Sequence, residues 1–478
     1  MNSHDYISYD GVALAEMIKR KEVGSKEVLE TAINIIEKLN PILNAVVIKN
    51  YDNVMRDVET LSINTMLSGV PFLLKDVNLF TSDMPTTFSC KFFENAKPRE
   101  DSELVSRWRS AGLMFLGKTN TPEFANDFVC EPTLRGATLN PWNPKVTTGG
   151  SSGGAAAAVA SGMVPIAHGS DLGGSIRIPA ACCGVFGLKP TSGLNPSGPY
   201  FSEMSAGFNA DHVLSRSVRD SAAVLDLSAG PMRGLRYHVS PIVDSFLLKL
   251  EEPVPKLRIG MTKVTPNGDP VGPNQELAVD KVSTLLSSFG HEVCEYNYPK
   301  TLNLGSWMEN LWMMDVVYEI DKRIIDIGQD PESQELDALT RYCREHVATL
   351  TAMDLYLARQ QAHETGFRLM QSMENLDLIL TPSLASDPVL LGEIDSRTDN
   401  FDILQWHKAG HAFAPFAYIC NVAGQPSASL PIQLLEGEHP CAVQLAGHHL
   451  YDHIILQVAH QLEKCLDWSS YRPPIWRD

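Results

Sequence analysis

Apolar positions along the chain repeat with two different periods. After Gly24, the residues Val28, Leu29, Ala32, Ile33, Ile36 and Leu39 recur three or four apart, the spacing of one helix face. Ser25 is the expected N-cap and Asn40-Pro41 the expected stop. Ala45 to Ile48 is a short β-branched run that predicts a strand. Val70 to Leu74 is a further apolar run and ends abruptly in Lys75-Asp76. A helix is expected over 101–110 and a buried strand over 113–116. Beyond a loop near Gly230-Pro231, the pattern gives a strand at 257–260, a helix at 276–289 and a strand at 292–294. Residues 304–373 are helical in pattern, with a break near 328–331. Strands follow at 376–380 and 428–432, then a helix near 452–466. Strand, helix and strand in succession indicate an α/β protein with much parallel pairing. No repeat, heptad run or convincing linker divides the chain, so residues 1–478 are read as one domain.

Composition narrows the function. Hydrophobic residues make up 44% of the chain and charged residues 20%, as in ordinary globular proteins. The net charge of −18 disfavours nucleic acid and anionic membrane surfaces, both of which need a basic face. No run is apolar and long enough to span a bilayer. The start of the sequence lacks the basic and apolar regions of a secretion signal. Nine cysteines without a CxxC pair fit reduced thiols in the cytoplasm. His448, His449 and His453 lack the spacing of a metal site, so no metal is expected.

Three glycine motifs compete for the chemistry. Gly112 to Thr119 fits the P-loop expression, yet Leu-Met-Phe-Leu between its glycines is a strand and cannot curl amides around a phosphate. Gly149-Gly150-Ser151-Ser152-Gly153 fits a nucleophile elbow, which would make Ser151 the nucleophile. An elbow should follow a buried strand, however, and Asn143 to Thr148 is polar with Pro144 inside it. The third motif, Gly169-Ser170-Asp171-Leu172-Gly173-Gly174-Ser175-Ile176-Arg177-Ile178-Pro179-Ala180, is the most informative. Gly173-Gly174 allows a tight turn that can aim amides at the space beside the Ser175 hydroxyl, the arrangement an oxyanion hole needs. Asp171 and Arg177 can pair across that turn in its support.

Taken together, residues 149–193 resemble the core of the amidase signature family. Ser151 and Ser175 stand 24 positions apart, as in that family. The likeness extends to Gly69-Val70-Pro71-Phe72-Leu73-Leu74-Lys75-Asp76, Gly117 to Glu123, and Gly424-Gln425-Pro426, and so spans nearly the whole chain. It implies a central twisted, mixed and largely parallel sheet covered by helices on both faces. It also implies Ser175 as nucleophile, Ser151 as a bridging serine on a cis peptide, and Lys75 as base, with neither metal nor organic cofactor. The backbone amides of Leu172, Gly173, Gly174 and Ser175 are the implied oxyanion donors.

Elementary chemistry agrees with those roles. Attack on an amide carbonyl needs a deprotonated hydroxyl, and the departing nitrogen needs a proton. Lysine serves as base only when neutral, and its place at the end of an apolar run offers the desolvation required. Asp76 would oppose this if it faced the same site, so it is expected to point elsewhere.

Within the family, Glu131-Pro132 and Gly136 to Asn143 resemble the 6-aminohexanoate cyclic-dimer hydrolases. That implies hydrolysis of small, largely apolar or cyclic amides by a monomer or homodimer. Asn126, Gly150 and Met314 are candidate substrate contacts, the last within Trp307-Met308 and Trp312-Met313-Met314 of the helical region 304–373. Those side chains are equally suited to a core helix face. The alternative is the glutamine-hydrolysing subunit of a tRNA-dependent amidotransferase. Its Ser-Leu-Asp-Gln stretch is replaced here by Ser205-Ala206-Gly207-Phe208-Asn209-Ala210. A fatty-acid amide hydrolase would carry an N-terminal anchor, which is not expected here.

Overall fold

The computed structural model describes residues 1–476 apart from 64, 202, 236–238, 303 and 435–438. A single sheet of eleven strands runs through it. In chain order the strands are β1 (Val46–Lys49), β2 (Pro71–Lys75), β3 (Met114–Thr119), β4 (Ile166–Asp171), β5 (Phe186–Lys189) and β6 (Ala210–Ser215). They continue with β7 (Arg258–Met261), β8 (Glu292–Glu295), β9 (Leu378–Pro382), β10 (Ser427–Ile432) and β11 (Cys441–Gly447). Their spatial order is β1-β3-β2-β4-β6-β5-β10-β11-β9-β7-β8. The sheet is mixed. Parallel pairing occurs in two triplets, β3-β2-β4 and β9-β7-β8. The strands between them, and the edge pair β1-β3, are antiparallel, so the parallel share is smaller than expected.

Side chains alternate between the two faces of the sheet, and helices cover both. Leu73 packs into a cluster with Ala156 and Val159 of the helix Gly153–Ala160 and with Ile36 of Ser25–Leu43. Its neighbours Phe72 and Leu74 enter the opposite cluster with Trp108, Phe115 and Val224. Further along, Leu188, Leu430 and Val443 meet Val282 of the helix Pro273–Ser288 and Val458 of Asp452–Leu466.

The N-terminal helix differs from expectation at both ends. Gly24, not Ser25, is the N-cap, and the helix runs through Pro41 to Leu43. A proline in the last turn removes a bond near the helix end instead of interrupting a ladder. The stop is Asn44, in the left-handed region at φ 51°. Asn40 then turns the chain into β1, its Oδ1 accepting from the amides of Ala45 and Val46 at 2.9 and 2.7 Å.

Residues 304–373 form three helices, Glu309–Ile327, Ala338–Val347 and Ala352–Ser372, the first ended by Gly328 in the left-handed region. The P-loop-like segment is the buried strand β3. Its Gly117 is needed for close strand approach, because a Cβ there would stand 2.1 Å from the Ile48 carbonyl oxygen.

Candidate active site

β2 delivers its last residue, Lys75, into the middle of the fold. The side chain is fully buried. Its Nζ donates to Ser151 Oγ at 2.7 Å and to Ser170 Oγ at 3.0 Å. Burial is the largest influence on the amine and pulls its pKa down to about 7, against the opposing pull of Asp211, Cys130 and Asp171. Asp76 turns away as expected. It accepts from the Thr87 amide at 2.9 Å and from the Thr87 hydroxyl, and lies 3.9 Å from Lys118 Nζ.

Ser151 sits on a loop that only glycines can build. The Gly150–Ser151 peptide is cis. A Cβ on Gly150 would meet the Val129 carbonyl oxygen at 2.5 Å, and one on Gly154 would meet the Asn120 amide nitrogen at 2.5 Å. The loop then enters the buried helix Gly153–Ala160.

The second glycine loop follows β4. Asp171 organises it, with Oδ1 accepting from the Gly174 amide at 2.8 Å and Oδ2 from the Ile176 amide at 3.1 Å. Arg177 grips the same carboxylate at 2.9 and 2.8 Å. It also donates to the Ala417 carbonyl and Gln444 Oε1, each at 2.8 Å. This buried, bidentate pair holds the Asp171 carboxyl far below the usual carboxylate range, burial being outweighed by Arg177. The two loops are tied directly, since the Ser152 amide donates to the Ser175 carbonyl at 3.1 Å.

The expected oxyanion donors need one correction. The Gly174 N–H is committed to Asp171 Oδ1 at 2.8 Å and so is not a free donor. Among the described residues the amides of Leu172, Gly173 and Ser175 donate to no protein acceptor. Leu172 and Ser175 line both of the cavities that meet here, and Gly173 lines the outer one.

The inner cavity, of about 50 Å³, also takes in Ser151, Ser170, Asn126, Phe124 and Val316. The outer one, of about 240 Å³, is walled by Phe128, Met308, Trp406 and Tyr418 and includes Gly150. Asn126 lines both and its Nδ2 is buried without a partner, leaving a donor free for a ligand. Ser175 is open to two cavities at a turn of free amides and shares the inner one with Ser151, the acceptor of the buried Lys75 amine; such a set of groups is equipped for acyl transfer.

A family model described as Amidase matches residues 27–456. The chain belongs to the amidase family. A 6-aminohexanoate-cyclic-dimer hydrolase of Paenarthrobacter ureafaciens is 32% identical over 478 residues, covering 98% of this chain and 96% of the relative. The solved structure of a 6-aminohexanoate cyclic dimer hydrolase superposes with a TM-score of 0.92 at 31% identity, over 98% of this amidase and 99% of that chain. A bacterial aryl acylamidase of the amidase signature family gives 0.85 at 26% identity, over 97% and 99% of the two chains. The present protein is thus an enzyme that hydrolyses carbon–nitrogen bonds.

One expected substrate contact of the amidase falls outside the site. Met314 is half-buried and lines neither cavity. On the helix Glu309–Ile327 the cavity face is Trp312, Asp315, Val316 and Glu319, the three-and-four spacing of one stripe, and residue 314 lies off it. Met308 and Trp312 do line the outer cavity. Trp307 instead packs with Phe208 and Met313 joins the core.

The sequence reading missed Ser170 and His168. They stand two apart on β4 and so share a strand face. His168 Nδ1 accepts from the Lys75 amide at 3.2 Å while its other nitrogen meets Asp211 at 3.1 Å. The polarity of Gly169-Ser170-Asp171 hid the strand, because a buried strand is ordinarily recognised by its aliphatics.

Proposed function

We propose that this amidase cleaves small, largely apolar or cyclic amides through an acyl-enzyme on Ser175. Neutral Lys75 draws a proton through Ser151 from the Ser175 hydroxyl as its oxygen attacks the amide carbonyl. The amides of Leu172, Gly173 and Ser175 receive the developing oxyanion. Losing a donor of this kind typically costs about 3–4 kcal/mol of transition-state stabilisation. The proton returns along the same path to the departing nitrogen. Water then repeats the sequence on the ester and frees Ser175.

The observation that carries this reading is the 2.7 Å contact between the buried Lys75 amine and Ser151 Oγ, beside a chamber that Ser151 and Ser175 share. The apolar walls of the outer cavity favour apolar substrates, and the cyclic-dimer hydrolase likeness extends this to cyclic diamides.

The experiment is a hydrolysis screen of the purified chain alone against cyclic diamides, aryl amides, fatty amides and glutamine. Turnover of cyclic or aryl amides without partners is the expected result. Glutaminase activity that appears only with added partner subunits would transfer the reading to an amidotransferase.

A further inference from the structure

The floor of the inner cavity is acidic, and the mechanism above leaves it unused. Asp315 and Glu319 lie one helical turn apart and both line this cavity. Asp315 Oδ2 accepts from the Ser205 amide and hydroxyl at 2.6 and 2.8 Å. Its other oxygen accepts nothing among the described residues. Glu319 is buried to 3% side-chain exposure, and its Oε2 accepts from Arg99 at 3.0 Å. Glu319 Oε1 is buried without any partner.

Two of the cations around this floor are committed. Arg99 pairs with Glu319, and Arg359 pairs with Glu203 at 2.8 Å. Arg323, one helical turn beyond Glu319, lies over Phe93 with its Nε buried and unpartnered, and Asp315, which lines the cavity, makes no ion pair among the described residues. Burial and the nearby carboxylates of Glu319 and Glu203 raise its pKa to about 6, so it is ionised at neutral pH. A buried carboxylate without a cation is costly unless something supplies one.

We infer that the limb of the substrate entering the inner cavity ends in a cation, a primary ammonium, received by Asp315 and the free oxygen of Glu319. This rests on the amidase reading above and sharpens its substrate class. The limb is short, since a cavity of about 50 Å³ holds roughly four water-sized groups. Phe88, Phe124 and Val316 line the cavity as well and suit a methylene chain. The preferred amides would then be those of ω-amino acids or of diamines.

Two measurements test this. In the first, ω-aminoacyl p-nitroanilides of increasing chain length are compared with partners bearing methyl in place of ammonium. N-(ω-aminoalkyl) amides are compared with N-alkyl amides in the same way. For one of the two series, kcat/KM should favour the cation by roughly 10- to 100-fold, the range of a desolvated charge pair. Asp315→Asn and Glu319→Gln should reduce that ratio toward one.

In the second, calorimetry on the wild-type protein compares alkylammonium ions with alcohols of the same length, and the ammonium should bind at least tenfold tighter. Equal binding, or a ratio near one in both series while neutral amides turn over, would overturn the cation site and leave the amidase reading standing. Tight ammonium binding with no amide turned over would do the reverse.

Discussion

Lys75 and Ser170 meet at 3.0 Å, from Nζ to Oγ, at the ends of the neighbouring parallel strands β2 and β4. A neutral amine has two N–H bonds and one lone pair. Donation to Ser170 fixes one N–H and leaves the lone pair free to turn toward Ser151, which the proton relay requires. In the proposed relay Ser170 is thus a positioning residue for Lys75. Ser170→Ala should lower kcat by about tenfold with KM little changed, as for a group acting only on the reacting state. It also removes an acceptor from the ammonium form, so the rising limb of the pH–rate profile should move to lower pH. An unchanged limb would reduce Ser170 to a packing role.

In the proposed mechanism Lys75 itself sets that limb. With its pKa pulled down to about 7 by burial, the fraction of neutral base grows as pH rises. kcat/KM should therefore climb through about pH 7 and level off above it. Lys75→Ala should abolish the limb and cost roughly 10²- to 10⁴-fold in rate, the usual contribution of a positioned base. A wild-type profile flat from pH 6 to pH 9 would contradict the assignment.

Ser175 and Ser151 are separable by covalent labelling. A fluorophosphonate should modify Ser175, and Ser175→Ala should lose both the label and roughly 10⁴- to 10⁶-fold of activity. Ser151→Ala should still take the label at residue 175, only much more slowly. Peptide mapping that puts the label on Ser151 would restore the nucleophile-elbow alternative.

Arg177 is assigned to stability as well as to shaping the loop. Arg177→Met leaves the Asp171 carboxylate buried without its partner, which should cost about 3–5 kcal/mol. The urea midpoint should fall accordingly. Because Asp171 holds the Gly174 and Ile176 amides, the surviving folded protein should also lose acylation rate. A variant with an unchanged midpoint would show that other groups bear this loop.

Trp312 and Met314 make a paired control on one helix. Trp312 lines both cavities and Met314 neither. Trp312→Ala should raise KM for bulky amides at least several-fold, while Met314→Ala should leave it within about twofold. Comparable effects on KM from both would place the cavity face of this helix elsewhere.

Much of the candidate site was legible before any fold was known. Lys75, Ser151, Ser175, Asp171 and Arg177 lie in motifs whose glycines are fixed by local geometry. Gly174, at φ 129°, would drive a Cβ to 2.6 Å from that of Ala417, and such demands leave a readable trace in the chain. The outer strands and long helices were legible for a similar reason, since their apolar spacing is a local property.

The middle strands were not, because β4, β5, β6 and β11 are buried on account of neighbours distant in sequence and carry polar groups such as His168, Ser170, Asp211 and Gln444. What the sequence determined by itself is the set of candidate reactive groups and the glycine turns beside them, because spacing along one chain segment suffices. Tertiary structure alone decided that Ser170 touches Lys75, that the Gly174 amide is spent on Asp171, and that Asp315 and Glu319, not Met314, face the cavity. Each of those depends on which way a side chain or amide points once separate segments pack, and that direction is set by the partners it meets.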